Sequence, residues 1–179
     1  TAIDNLSATL NLKATELEIE QLDLKRKNDS LTAQGKIDMS HEHNYSGTIN
    51  ATIDNLAEYL SIFRKKKKKN SKPTPTQVQI TVDSTKWNAR GVIGLPGSSP
   101  VNFTANFPLP IGTDWNAFLA SPLNVTLDFP SVLLANAPQI FHPEIFHEGI
   151  LSGNISLSGK LQHPRIDGEA GLWSGTLSG

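Results

Sequence analysis

Apolar residues fall at every second position over most of this chain. Leu6, Ala8, Leu10, Leu12 and Ala14 alternate with polar residues, and the alternation resumes at Leu17 and Ile19. A period of two sends all of these side chains to one face of a β-strand. The register then slips to Leu22 and Leu24, which predicts a bulge or a turn after Ile19. Beyond the turn RKNDS, Leu31, Ala33, Gly35, Ile37 and Met39 form the next strand, and after HEHN, Tyr45, Gly47, Ile49, Ala51 and Ile53 form another. Connections this short predict a meander of antiparallel hairpins. The same period returns through Val78, Ile80 and Val82, through Trp87, Ala89, Gly91 and Ile93, through Phe103, Ala105, Phe107 and Leu109, and through Leu123, Val125, Leu127 and Phe129. It reappears at Leu151, Gly153, Ile155, Leu157, Gly159 and Leu161, turns at QHPR, and continues through Ile166, Gly168, Ala170, Leu172, Gly175 and Leu177. Roughly a dozen strands with one short helix predict an all-β protein.

The helix is predicted over Asp54–Phe63, where Leu56, Tyr59, Leu60 and Phe63 take the i, i+3, i+4, i+7 spacing. Arg64 and Lys65 to Lys69 follow, then NSKPTPT, a self-repelling stretch with prolines that reads as a loop. A second break, PSVLLANAPQIFHPEIFHEG, reads as a short helix or an irregular cap. The chain thus divides into a β-meander ending in the helix (1–63), a basic loop (64–77), a second meander (78–130), an irregular or helical connection (131–148) and glycine-rich strands (149–179). Both ends read as interrupted strands, so the expectation is a segment of a longer protein whose targeting and anchoring parts lie outside it.

A Gly-polar-apolar-polar tetrapeptide recurs as GKID from Gly35, GTIN from Gly47, GNIS from Gly153, GKLQ from Gly159 and GTLS from Gly175. Each glycine shares the parity of the Ile or Leu two residues later, so it faces the apolar side. Glycine in a strand leaves nothing to pack, which suits a sharp bend or the close approach of another group. The alanines Ala8, Ala33, Ala51, Ala89, Ala105 and Ala170 share that parity. The predicted sheet has one greasy, partly hollow face.

Composition narrows the function. A net charge of -1 over 179 residues offers no general attraction to nucleic acid. Hydrophobic residues are 37% and aromatics 7%, a thin apolar layer spread evenly. No cysteine occurs, which removes disulfides, thiolate metal sites and cysteine nucleophiles. No run reaches the roughly 18 apolar residues of a membrane span. His41, Glu42 and His43, and likewise His142, Glu144, His147 and Glu148, lack metal-ligand spacing and read as solvated turns. GVIGLPG lacks the Lys-Ser/Thr of a phosphate loop, and no serine sits in a nucleophile elbow. The expectation is a protein that is not an enzyme and needs no cofactor or metal.

Seven Asn-x-Ser/Thr sequons occur, at Asn5, Asn28, Asn44, Asn50, Asn102, Asn124 and Asn154, but in all except Asn28 the middle residue is apolar and belongs to the alternation. The sequons therefore follow from the strand pattern more readily than from glycosylation. The basic run Arg64–Lys69 either meets anionic lipid head groups, at roughly 1 kcal/mol per basic residue, or is a solvated loop that guards a sheet edge. The second reading is the simpler. The apolar face has two readings as well: it closes on a second sheet, or it stays open for apolar ligands, whose burial is worth about 25 cal/mol per Å². The residues alone weigh these evenly.

The stretch GILSGNISLSGKLQHPRIDGEAGLWSGTLSG resembles the repeat of the TamB family, the inner-membrane component of the translocation and assembly module. Gly153, Gly159, Pro164, Ile166, Gly168, Leu172, Gly175 and Leu177 carry the likeness. GTINATIDNLAEYL is similar to AsmA-like elements of that superfamily. The Lys run and QIFHPEIFHEG depart from the pattern. The resemblance implies an elongated, twisted antiparallel sheet curled into a half-open taco with an apolar concave face. It implies a protein anchored in the inner membrane that crosses the periplasm of a diderm bacterium, moves phospholipid toward the outer membrane, and works with an outer-membrane β-barrel. On that reading acyl chains meet Leu10, Leu12, Ile37, Ile49, Ile53, Phe103, Phe107, Leu123, Val125, Leu127, Phe129, Leu151, Ile155, Leu157, Leu161 and Leu172. Head-group contact falls to Arg64, Lys65, Lys66, Lys67, Lys68 and Lys69. The alternatives are a chaperone or interaction module for outer-membrane protein assembly, which receives strands at the sheet edge or on the apolar face, and a secreted β-sandwich or solenoid adhesin.

Overall fold

The structure is a computed structural model that describes residues 3–41, 44–60, 73–107, 120–136, 146–160 and 163–177. Ten strands form a single antiparallel sheet: β1 (Asn5–Leu12), β2 (Glu16–Arg26), β3 (Asp29–Asp38), β4 (Asn44–Ile53), β5 (Thr76–Asp83), β6 (Trp87–Ile93), β7 (Val101–Phe107), β8 (Pro122–Leu133), β9 (Phe146–Lys160) and β10 (His163–Leu177). Spatial order equals sequence order, so each strand pairs with its sequence neighbours, and among the described residues β1 and β10 are the two edges of an open sheet. The all-β expectation and the antiparallel meander both hold.

Among the described residues the strand count is ten, against the dozen expected, because two apparent breaks are irregularities inside strands. In β2, Ile19 pairs with Gly35 and Leu22 with Ala33, so one extra residue bulges between them. The slip in the apolar pattern marks that bulge. Gly175 and Leu177 lie in the same strand as Ile166, and the register of β10 against β9 shifts after Trp173. The connection expected from residue 131 begins later than the sequence suggests. β8 continues through Pro130 to Leu133, and a one-turn 3-10 helix follows at Leu134–Asn136. A proline inside a central strand is accommodated at a bulge, and the β8–β9 register shifts between Phe129 and Val132.

The helix α1 (Leu56–Leu60) lies within the span predicted by its spacing, of which Ser61, Ile62 and Phe63 fall outside the described residues. Asn55 and Thr74 bind its start. The Leu56 amide donates to the Thr74 carbonyl at 3.1 Å, and the Thr74 hydroxyl donates to Asn55 Oδ1 at 3.1 Å. A part-buried polar cluster ties the helix to the β2–β3 hairpin. The Tyr59 hydroxyl donates to Asp29 and accepts from Arg26 Nη1 at 2.7 Å, while the guanidinium stacks 5.5 Å from the centre of the Tyr59 ring.

The core lies toward the end of the sheet that carries α1 and the β6–β7 turn. Ile93, Leu95, Val101, Phe129 and Val132 are buried together, with Leu56, Phe103, Leu127, Leu151 and Ile155 packed against them. Thr74 and Thr76 close this end, and the Thr76 hydroxyl donates to the Thr74 carbonyl.

Candidate functional site

Pairing across the sheet aligns the apolar positions into continuous rows. One runs Leu6, Leu24, Leu31, Ala51, Val78, Gly91, Phe103, Leu127, Ile155, Gly168, each residue directly opposite the next. The row beside it runs Ala8, Leu22, Ala33, Ile49, Ile80, Ala89, Ala105, Val125, Leu157, Ile166. Because side chains alternate between faces, both rows lie on the same face. Nine inter-strand steps of about 4.8 Å make each row roughly 43 Å long.

The opposite face is polar and knitted by cross-strand hydrogen bonds. Gln79 Nε2 donates to Asn50 Oδ1 at 3.1 Å, Arg90 Nε donates to Gln79 Oε1 at 2.8 Å, and the Thr104 and Thr126 hydroxyls meet at 2.5 Å. Near β1, Lys36 lies 3.1 Å from Glu18, and Lys13 lies 3.3 Å from Glu16 and Glu18. Hydrogen bonds from Lys36 and then Lys13 hold the Glu18 carboxyl below its ordinary value, against a small opposing push from burial.

The apolar face is uneven in its exposure. On the β1–β3 side Leu6, Leu10 and Leu12 are 60%, 60% and 71% exposed, and Ile37 and Met39 are exposed beside them. Toward β8 the face fills with protein: Leu123 and Phe129 are buried, Phe129 within the core, and Leu127, Leu151 and Ile155 pack against that core. Ile49, Ile53, Phe103, Phe107, Val125, Leu157 and Leu172 are half-buried. All of these anticipated positions lie on the described strands, whereas Leu161 and the basic run Arg64–Lys69 fall outside the described residues.

Two glycine features shape the face. Gly35 and Gly47 stand directly opposite each other on β3 and β4. A Cβ on Gly35 would lie 2.6 Å from the Ser46 carbonyl oxygen and 3.1 Å from Gly47 Cα. The backbones are therefore bare here, and a hollow of about 550 Å³ lies over them, lined by Ile19, Leu22, Ile37, Tyr45, Ile49 and Val82 among others. At Gly91 the vacancy is filled, because the ring of Phe103 lies over it.

Sequence reading missed most of the core. Of the seven buried apolar residues among those described, Ile93, Leu123 and Phe129 stood in the alternation, whereas Leu95, Val101, Val132 and Leu134 did not. Their signal was the compact turn LPGSSP and the apolar run VLL, which interrupt the period. The pairing of Gly35 with Gly47 follows only once the register is known.

Among the described residues no cluster of three or more His, Asp or Glu side chains could hold a metal, and no helix is long and apolar enough to cross a membrane. His41 lies in the β3–β4 connection, with Nδ1 3.3 Å from Asp38 Oδ2, while Glu42, His43, His142 and Glu144 fall outside the described residues. Compared with family models, characterised proteins and solved structures, the chain has no match.

Proposed function

We propose that this chain is a non-enzymatic segment of a periplasmic bridge of the TamB or AsmA-like kind, which carries phospholipid acyl chains along its apolar face toward the outer membrane. The observation that supports it is the pair of apolar rows crossing all ten strands on one face, exposed at the β1–β3 side. A monomer that leaves Leu6, Leu10, Leu12, Ile37 and Met39 in water forgoes burial worth about 25 cal/mol per Å². Large contiguous exposed apolar patches mark interaction sites for protein, membrane or ligand. In this reading the sheet curls into a half-open taco, acyl chains lie against the concave face, and head groups stay at the open seam in water. The anchor in the inner membrane and the outer-membrane barrel partner belong to the same reading.

A second reading is favoured by the edge strand. β1 (NLSATLNL) contains no charged residue and no proline, and seven of its eight residues are exposed. Edge strands ordinarily carry such protection against pairing, and β10 has Pro164, Arg165, Asp167 and Glu169. A bare edge accepts an extended segment by strand addition, as an assembly chaperone for β-strands requires. Photocrosslinking decides between the two: lipid adducts at Leu157 favour carriage, and protein adducts at Ser7 or Thr9 favour strand reception.

A further inference from the structure

Lipid carriage by a smooth trough asks for equivalent positions along the face, yet among the described residues a hollow lies over Gly35 and Gly47. From this, and resting on the carriage reading above, we infer that the hollow over Gly35 and Gly47 is a holding site for a single acyl chain, with its polar end at the β3–β4 connection.

Four observations carry this. The floor is bare backbone, because the two glycines oppose each other and neither brings a side chain. The volume, about 550 Å³, falls in the range of sites for small molecules, roughly 300–1,000 Å³. The length fits a hydrocarbon chain: the lining extends from Ala33 on β3 to Met39 just past its end, six steps of about 3.4 Å or roughly 20 Å. One leaflet of a bilayer, half of an apolar core about 30 Å thick, needs a chain of roughly 15 Å. The lining also changes character along that length. One end is lined by Leu22, Ala33 and Ile49, whereas the other meets Asp38, His41 and Asn44. An amphiphile with its tail at the apolar end and its head at this turn satisfies both ends, and a folded peptide or a compact polar metabolite satisfies neither.

The polar end does not select the head group by charge. Lys36, in the lining, is paired with Glu18 at 3.1 Å, and the Asp38 carboxylate already accepts from the Ser40 hydroxyl at 2.6 Å, the Ser40 amide at 2.9 Å and Asn44 Nδ2 at 3.1 Å. The site therefore recognises the chain, and single-chain lipids with different heads occupy it alike.

The test is photolabelling of the full chain with a palmitic acid that bears a diazirine near its terminal methyl, followed by peptide mapping. Three variants are compared, each checked for retained β-structure by circular dichroism: Ala33→Trp, which fills the apolar end of the hollow; Ile37→Asp, which charges its exposed wall; and Ala105→Trp, in the same row but away from the hollow. Adducts concentrated on β3 and β4, lowered about tenfold by Ala33→Trp and by Ile37→Asp but not by Ala105→Trp, are expected, corresponding to roughly 1.4 kcal/mol of lost contact. Adducts spread evenly over the strands, or equal loss in all three variants, overturn the holding site and leave carriage standing. Absence of adducts on any strand overturns the holding site together with the carriage reading.

Discussion

The ring of Phe103 covers Gly91 on the neighbouring strand, so closely that a Cβ at Gly91 would lie 2.5 Å from Cε1 of the ring. An aromatic on β7 thereby supplies the apolar surface that Gly91 lacks, and packs against the core as does Leu127, opposite it on β8. Gly91→Val should destabilise the protein by about 1–3 kcal/mol, the usual cost of overpacking, read as a lower urea midpoint. Combining it with Phe103→Leu should restore part of that loss, because the ring contact is removed while the contact with the Gln77 carbonyl remains. Strict additivity of the two changes would show that the ring does not fill the glycine's place.

The anchoring of α1 has its own signature. Tyr59 bridges Asp29 and Arg26 in a part-buried setting. Tyr59→Phe removes that bridge and keeps the ring, so a loss of about 0.5–1.5 kcal/mol is expected. An unchanged melting temperature would mean that α1 is held by Leu56 and the Asn55–Thr74 contacts alone.

Acid should weaken the sheet through its turns. Hydrogen bonds from the Ser40 hydroxyl, then from the Ser40 amide, outweigh burial and, with His41 and Asn44, bring the Asp38 carboxyl down to about 2. The Thr85 hydroxyl and amide act likewise on Asp83. At Asp29 burial pushes upward, but Tyr59, the Asp54 amide and Arg26 together prevail and the net shift is downward. A carboxyl whose folded value is depressed stabilises the protein above its unfolded value and loses that contribution as pH falls through the folded one. Stability should therefore decline from the ordinary Asp value of 3.8 toward about 2. In Asp38→Asn that decline should be shallower, as measured by urea midpoints across this range. An identical pH profile would contradict the assignment.

The uncharged edge predicts a response to a single basic residue. Thr9 lies on the polar face of β1, opposite Gln21, where a lysine leaves the apolar row intact. Thr9→Lys should suppress crosslinking of extended apolar-polar peptides to β1 and leave lipid labelling unchanged, since Lys on an edge disfavours added strands. Equal peptide capture by the variant would remove β1 as the receiving edge.

Much of this architecture was legible because one face of every strand must be apolar, and a one-residue slip would turn each side chain over. The slip after Ile19 located the β2 bulge, and the parity of Gly35, Gly47 and Gly91 placed them on the apolar side. Other features depend on pairing that local pattern does not encode. Pro130 looks like a strand end, yet the bulge before Val132 carries β8 past it. Val101, Leu95 and Val132 join Ile93 in the core through contacts among β6, β7, β8 and the β6–β7 turn, and Phe129, read as groove lining, belongs to it. The role of Tyr59 arises from a carboxylate thirty residues away in sequence.

The central claim is that the apolar face is occupied by hydrocarbon chains. Native mass spectrometry of the full chain, produced in the periplasm of a diderm bacterium and released gently, tests it most directly. Leu157, half-buried in the second apolar row, is the position at which to charge the face. The account predicts phospholipid masses bound to the wild-type chain and lost in Leu157→Asp while the β-sheet circular dichroism persists. A chain free of lipid, or one that keeps the same lipid in Leu157→Asp, would contradict it.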